Sequence, residues 1–422
     1  YILVVHPSIM SDAIYLNEPK DLFRELVVVT GLSSAIGTLV MGLLGKYPFV
    51  LAPGMGTNAF FAYSVVIGLK IPWQTALAAV LVEGLIFIGL TITDIRRHLI
   101  TAVPNCIKAA TTVGIGLFLA YIGLASVVQF GGAGLIVANE VTKTSFGSFR
   151  EPATLLATFG IFLSSMFMIR RIKGALLWGI AGTAILGWLF GVAVAPKGIA
   201  DIPIFPSHLF GQAVIGLSGV NAGNLIDFIA VTLVFLFVDM FDTIGTLSGV
   251  GIQAGYIDEN GELPRANEAL MADAIGTTAG AILGTSTVTT FAESAAGVAE
   301  GGRTGFTAIV TAILFLLALF FIPIFEAIPT FATASALLIV GVLMMKSVVN
   351  IDWEDLTEAI PAFVTLFLIP LGFSIAAGLS AGLILYPFVK IIQGRGKEIS
   401  LATWILAAIF LARYIFTTMR FG

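Results

Sequence analysis

Charge is what this sequence has least of. Only 11% of its 422 residues are Asp, Glu, Lys or Arg, while 58% are hydrophobic; soluble domains carry about 25% and about 45–50%. That imbalance excludes a soluble enzyme, because a water-facing fold of this size needs a charged shell. With 21 basic against 25 acidic side chains and a net charge of −4, no basic surface for nucleic acid is indicated. One cysteine, Cys106, excludes an internal disulfide and leaves the redox compartment open. The three histidines, His6, His98 and His208, have no partners at metal-ligand spacing, so no metal is expected and they read as structural or interfacial. No G-x-x-x-x-G-K-[ST] occurs, since Gly42 to Lys46 is too short for one, and H-E-x-x-H, G-x-S-x-G and C-x-x-C are also missing. No cofactor is implied.

What is present is apolar length. A helical span takes about 20 residues, so the chain has room for on the order of a dozen. It starts Tyr1-Ile-Leu-Val-Val without an initiator Met, which reads as the second half of a hydrophobic segment ending at His6-Pro7. Spans are predicted at 25–45, 72–93, 104–125, 151–170, 174–195, 226–248, 267–283, 304–325, 330–347, 358–373 and 376–393. A further apolar stretch at 401–417 is left open as a crossing. Residues 48–68 and 286–300 (STVTTFAESAAGVAE) are near membrane length but carry Gly, Pro, Thr, Asn or Glu. Each reads as a broken span, a short extended piece running into a half-helix. Such backbone is tolerated at membrane depth only where protein or a water-filled cavity covers it, so the two breaks mark an interior site.

The order of the elements is that of a seven-element unit occurring twice. An odd number per unit forces the copies into opposite orientations, the inverted repeat of many secondary transporters. Arg96 and Arg97, Arg170, Arg171 and Lys173, and Arg395 and Lys397 fall in loops on one side. That side is expected to be cytoplasmic, with the N-terminus there too and the segments 127–149 and 196–224 outside.

The few intramembrane acids are functional candidates, because a charge in the bilayer centre costs about 2.5–3.5 kcal/mol on insertion scales. Asp239 and Asp242 stand three residues apart, hence on one helical face; Glu293 opens the second half-helix, and Asn58 holds the comparable place in the first. Three buried carboxylates are not all ionised cheaply, so at least one is expected to exchange protons. Glu83 and Asp273 lie isolated in flanking spans and read as packing groups. The half-helix N-termini offer unpaired N–H groups to ligand acceptors. Acids and backbone donors without a Lys or Arg suit a neutral, flat molecule with donors and acceptors, better than an inorganic anion. Phe60, Phe61 and Phe291 border the breaks and could stack on a planar ring, although with 33 Phe in the chain packing explains any single one. An intramembrane hydrolase with Asp239 and Asp242 as an aspartyl pair is a weaker alternative, since one helix face does not flank a substrate from two sides. A channel would need polar faces along several spans, and the polar residues are confined to two breaks.

The strings APGMGTNAFFAY (52–63), DMFDTIGTL (239–247), GTSTVTTFAESAAGVAEGGRTG (284–305), IPTFATASALLIVGVLMM (328–345) and TEAIPAFVTLFLIPLGFSIAAGLSAG (357–382) resemble the purine permease branch of the nucleobase/cation symporters, related to the uracil and xanthine/urate permeases. The resemblance implies an all-α polytopic membrane protein of about fourteen segments in two inverted repeats. It further implies core parts at 1–100 and 226–325, and gate parts at 101–225 and 326–422. The core would slide against the gate in a proton-coupled elevator motion that imports hypoxanthine, guanine or adenine across the plasma membrane. By motif, Asp242 matches the substrate-facing carboxylate of element 8, Asp239 the neighbouring acid of this branch, Glu293 the carboxylate of element 10 and Asn58 the polar residue of element 3. Ala292 falls where uracil permeases offer a backbone N–H, and Phe291 where they have an aromatic. Thr246 replaces a histidine of the uracil branch, which throws proton coupling onto Asp239, Asp242 and Glu293. Relatives of this kind are often dimers through the gate, so a homodimer is an expectation carried by the resemblance alone.

Overall fold

The computed structural model describes residues 1–93, 103–125, 132–221, 223–256, 263–299 and 301–421. Arg96, Arg97 and His98, and with them the first of the basic loops, lie outside the described residues. Long apolar runs become helices because, in lipid, a helix satisfies its own backbone. In chain order these are α1 (Ile2–Met10), α2 (Phe23–Val40, extended by a π-helical turn Met41–Gly45), α3 (Met55–Ala59, continued as π-helix Phe60–Gly68), α4 (Trp73–Ile92) and α5 (Asn105–Ala125). Next come α6 (Pro152–Ile169), α7 (Ala175–Leu189), a short α8 (Gln212–Gly216), α9 (Leu225–Ala254) and α10 (Ala266–Leu283). The chain ends with α11 (Ser294–Ala299), α12 (Gly305–Ala318), α13 (Ile322–Ala327), α14 (Thr330–Met344), α15 (Leu356–Leu371), α16 (Ile375–Ile392) and α17 (Leu401–Phe421). Strand β1 (Leu51–Pro53) precedes α3 and β4 (Val288–Thr290) precedes α11. Among the described residues, seven helices are long and apolar enough to cross a bilayer, and four shorter apolar helices accompany them.

Every predicted span has its helix, and both predicted breaks are a three-residue strand followed by a half-helix. The fourteen elements form two sets of seven, with α17 beyond them. Two details differ from expectation. The segment 127–149, expected as plain loop, holds a hairpin of β2 (Ile136–Asn139) and β3 (Lys143–Phe146); its strands are too short and too polar to leave an alternating signature. The half-helix of element 3 is wound mostly as a π-helix, which no apolar periodicity announces.

Two groups of helices result. In one, α2 packs on α1, α10, α12 and β1, while α4 packs on α8, α9 and α10. In the other, α5 packs on α14, α15 and α16, and α6 packs on α7 and α14. The groups meet where α3 and α9 touch α5 and where α9 touches α16 and α17. Large apolar side chains such as Phe162, Leu189, Phe306 and Phe388 are exposed, as a lipid-facing surface requires, while Ser and Thr of 285–290 are shut inside.

The two ends of the molecule are tied by different ionic groups. Arg24 pairs with Asp201 and lies 3.7 Å from Glu326, and His208 Nδ1 is 2.6 Å from Glu25. Lys20 reaches Thr330 Oγ1 at the same end. From Thr330 the chain runs helically to Asn350, about 30 Å at 1.5 Å per residue. There Asp355 meets Arg395 at 2.6 Å, so the acidic stretch 351–358 and the loop bearing Arg395 and Lys397 share the opposite end.

Candidate functional site

The two broken elements pair with each other at the centre of the first helix group. Strands β1 and β4 run antiparallel, with Leu51 opposite Thr290, Ala52 opposite Thr289 and Pro53 opposite Val288. They lie so deep because the helices beneath them carry glycine at the points of contact. A Cβ added at Gly37 of α2 would stand 3.2 Å from Val288 Cγ1, and one at Gly280 of α10 would stand 2.9 Å from Val288 Cγ2. Threonines then satisfy strand groups that the short ladder leaves open. Thr38 Oγ1 accepts from Leu51 N and donates to Leu51 O, both at 2.9 Å. Asn58, fully buried, accepts from Ser286 Oγ and donates to Pro53 O at 3.4 Å. Gly54 N donates to Thr287 O and Phe291 N to Val50 O.

The acids sort into two environments. Asp239 and Asp242, expected on one face, are separated by the 60° that three helical residues leave short of a full turn. Asp239 points inward, wholly buried, with Thr277 Oγ1 at 3.2 Å from its Oδ2. One turn on, Thr243 donates to Asp273 Oδ1 at 2.8 Å and meets Thr289 Oγ1 at 2.6 Å. Glu83 and Asp273, read as isolated, are not. Glu83 on α4 is fully buried and within electrostatic range of both Asp239 and Asp273. The sequence hid this because each acid stands alone on its own helix and only the packing of α4, α9 and α10 assembles them. Among the described residues, both Glu83 oxygens, Asp239 Oδ1 and Asp273 Oδ2 have no hydrogen-bond partner.

Asp242, still within electrostatic range of Asp239 and Asp273, reaches a narrow cleft between the helix groups that it lines with Gly56, Phe241 and, from α5, Lys108, Thr111 and Thr112. Glu293 is exposed and lies within electrostatic range of Asp242; its Oε1 accepts from Tyr1 Oη at 2.5 Å. Ala292 is exposed, and its N–H donates to no group among the described residues. Phe291 is half-buried, its ring centre 6.4 Å from that of Tyr1, and Thr246 is half-buried one turn beyond Asp242. The structure thus brings Asp242, Phe291, Ala292 and Glu293 towards open space, and holds Asn58 and Asp239 behind them.

Three sequence readings change. Phe60 and Phe61 are completely buried against Phe235, with ring centres 4.9 and 6.3 Å away, and present no face to a ligand. His6 lies inside α1 with Nε2 2.7 Å from Thr285 Oγ1, directly behind the broken elements rather than at a span end. The surroundings are not free of cations either, because Lys108 shares the cleft with Asp242. Its spacing to Thr111, Thr112 and Ile115 was the available signal, a polar edge on an otherwise apolar helix.

The model of the Permease family, Xan_ur_permease, matches residues 1–381. The chain belongs to this family. A chain from Methanocaldococcus jannaschii is 51% identical, covering 99% of this sequence and 92% of its own. The guanine/hypoxanthine permease PbuG of Bacillus subtilis is 41% identical over 99% of this chain and 93% of its own. For the adenine permease AdeQ of Escherichia coli the figures are 38%, 98% and 89%. These named relatives are permeases and not enzymes, so this family member is a multi-pass membrane transport protein. In fold it is similar to the transmembrane domain of a cyanobacterium bicarbonate transporter, BicA, with a TM-score of 0.58 at 18% identity, covering 89% of this chain and 96% of that one. It is also similar to murine Slc26a9, with a TM-score of 0.59 at 12% identity, covering 93% and 67%.

Proposed function

We propose that this permease imports purine nucleobases together with protons. The observation that carries the reading is the placement of two carboxylates, Asp242 and Glu293, within range of each other beside the paired broken elements, where ring N–H groups of a flat, neutral base find acceptors. The Ala292 N–H supplies a donor to a ring acceptor, Phe291 a face for stacking, and Thr246 a hydroxyl at the edge. Asn58 and Asp239 support this shell from behind. Asp239, Asp242 and Glu293 are the proton carriers in this reading. The relatives named for guanine, hypoxanthine and adenine support the substrate class.

Transport follows from two states with different affinity for base and proton. In the reading, residues 1–100 and 226–325 form a core that carries the site, and 101–225 and 326–422 a gate against which it slides. The contacts between the helix groups through α1, α3 and α9 are sparse, which supports such a division, although α8 (Gln212–Gly216), which it assigns to the gate, packs on α4 and α10 of the core. The basic ends at Arg170, Arg171, Lys173, Arg395 and Lys397 face the cytoplasm of a plasma membrane.

The deciding measurement is concentrative uptake of radiolabelled hypoxanthine in cells without their own purine permeases. Glu293→Gln abolishes it; full uptake by that variant would sink the assignment. Lys108 favours a second reading, an inorganic anion as cargo, which the neighbouring Asp242 and Glu293 oppose. Competition of uptake by sulfate or bicarbonate rather than by purines selects that second reading.

A further inference from the structure

The cleft holds one cation that the purine site above leaves without a task. Lys108 stands on α5 with Thr111, Thr112 and Ile115 three, four and seven residues on, so a single helical face meets the cleft, and all four line it opposite Asp242 and Phe241. The face lies close to the first half-helix, for a Cβ at Gly56 would stand 2.6 Å from Ile115 Cγ2. Lys108 Nζ donates to Asn105 Oδ1 at 3.1 Å and lies 5.3 Å from the centre of the Phe241 ring. Lys108 is half-buried. A partly buried ammonium with a carbonyl oxygen and a ring face for company gains from any further acceptor that enters the cleft.

We propose that Lys108 makes this permease select 6-oxopurines over 6-aminopurines, its ammonium donating to the exocyclic oxygen at C6 while Asp242 accepts from the adjacent N1–H. The proposal rests on the purine reading of the site and names the kind of purine. An ammonium only donates and an ionised carboxylate only accepts. The edge of a 6-oxopurine sets an acceptor beside a donor and matches the pair. Adenine presents the reverse, an amino donor at C6 and a lone pair at N1, so donor would face donor and acceptor would face acceptor. A site built to hydrogen-bond a substrate group rejects the analogue that lacks it, because the site's own polar groups are then left unpaired. Phe241 and Asn105 both hold the ammonium, which fixes where the C6 oxygen is read.

The first test needs no variant. Uptake of labelled hypoxanthine by the full chain is competed with guanine, adenine, unsubstituted purine and 1-methylhypoxanthine. Guanine competes, and the other three are weaker by on the order of ten- to a hundredfold, the factor carried by a hydrogen bond to a charged group. Equal competition by adenine or by unsubstituted purine overturns the proposal. The second test measures ligand-induced thermal shifts of purified protein, which reads binding even in a variant with poor uptake. Lys108→Met weakens hypoxanthine by a similar factor and leaves adenine unchanged or tighter, whereas Lys108→Arg keeps the preference. Equal weakening of both bases by Lys108→Met overturns the selector role while leaving purine transport standing. If the unaltered chain takes up no purine at all, the purine reading falls and the selector falls with it.

Discussion

Thr38 and Thr277 do the same thing in the two halves of the chain. Thr38 Oγ1 spans the N–H and carbonyl of Leu51 in β1 at 2.9 Å each, and Thr277 Oγ1 spans those of Val288 in β4 at 3.0 and 3.1 Å. Each follows a glycine, Gly37 or Gly276, whose missing side chain lets the strand approach. The halves differ in one respect. Thr277 also reaches Asp239 Oδ2 at 3.2 Å, and among the described residues no acid bonds to Thr38. Replacing either threonine with Val leaves buried strand groups unpaired, at a cost of about 1–3 kcal/mol, so both variants melt earlier in detergent and the Ser variants recover most of the loss. Thr277→Val additionally removes one of the two threonine donors around Asp239, Thr289 being the other, and its uptake falls below that of Thr38→Val at matched stability. Equal uptake in the two would mean that the Asp239 contact is without consequence for transport.

The same comparison shows how far the sequence could be read. Ala35-Ile36-Gly37-Thr38 recurs as Ala274-Ile275-Gly276-Thr277, a four-residue echo that would have located both strand brackets, since the repeat is a property of the chain itself. Span positions and the two breaks were legible for a related reason: lipid sorts residues along one dimension, and polarity along the chain reports it. Rotation about helix axes was not legible. Asp239 and Asp242 part company, Glu83 joins Asp239 and Asp273, and Lys108 turns to the cleft only once neighbouring helices fix which face looks where. At Ser34, which stands to Thr38 as Asp273 stands to Thr277, the first half has a hydroxyl bonded to Thr30 O at 2.6 Å. The acid network is therefore lopsided: Asp239 and Asp273 come from the second half, and the first half contributes Glu83 from α4 and nothing at the Ser34 position.

Glu83 provides a sharper probe of that network. Its two oxygens have no partner among the described residues, and its nearest charged neighbours are the carboxylates of Asp239 and Asp273. Three buried negative charges without a cation would be costly to hold together. Glu83→Gln, equal in shape and neutral, is therefore expected to keep the melting temperature within the equivalent of about 1 kcal/mol or to raise it. A large fall would show that an ionised Glu83 is held by a favourable partner. Uptake measured on the same variant separates roles, since loss of transport at unchanged stability marks Glu83 as a carrier of the coupled proton.

Gly56 and Ile115 set how closely the first half-helix meets α5. With 2.6 Å between a new Cβ and Ile115 Cγ2, Gly56→Ala forces the two helices apart or Ile115 off its rotamer, at a cost of about 1–3 kcal/mol. Uptake is expected to fall several-fold, and Ile115→Ala in the same chain to restore it. A double-mutant cycle should give a coupling of at least about 0.5 kcal/mol, as expected for residues in contact. Additive effects would show that the half-helix and α5 are not in register during transport.

Acid sensitivity should originate far from the site, at the opposite end of α15. Asp355 caps that helix: its Oδ1 accepts from Thr357 N at 2.9 Å and Thr357 Oγ1 at 2.7 Å, and its Oδ2 from Arg395 at 2.6 Å. The Thr357 hydroxyl, followed by the Arg395 guanidinium, holds the Asp355 carboxyl well below the usual carboxylate range. Arg395 likewise lowers Glu398, to which it donates at 2.7 and 2.8 Å, and the buried Lys390 lies 3.7 Å from Asp355 and 3.4 Å from Glu398. A folded-state pKa below the unfolded value gives stability that is fully present above the unfolded value, about 4, and is lost as pH falls through the folded one. The melting temperature is therefore expected to be flat with respect to this cluster near neutral pH and to drop on acidification below about pH 4. Asp355→Asn should melt earlier at neutral pH, follow a shallower acid limb, and converge with the unaltered chain at the acid end. Because Arg395 and Glu398 are partly exposed, concentrated salt should narrow the neutral-pH gap by screening their pairing. Parallel melting curves for the two proteins across the whole range would remove Asp355 as the origin of the acid limb.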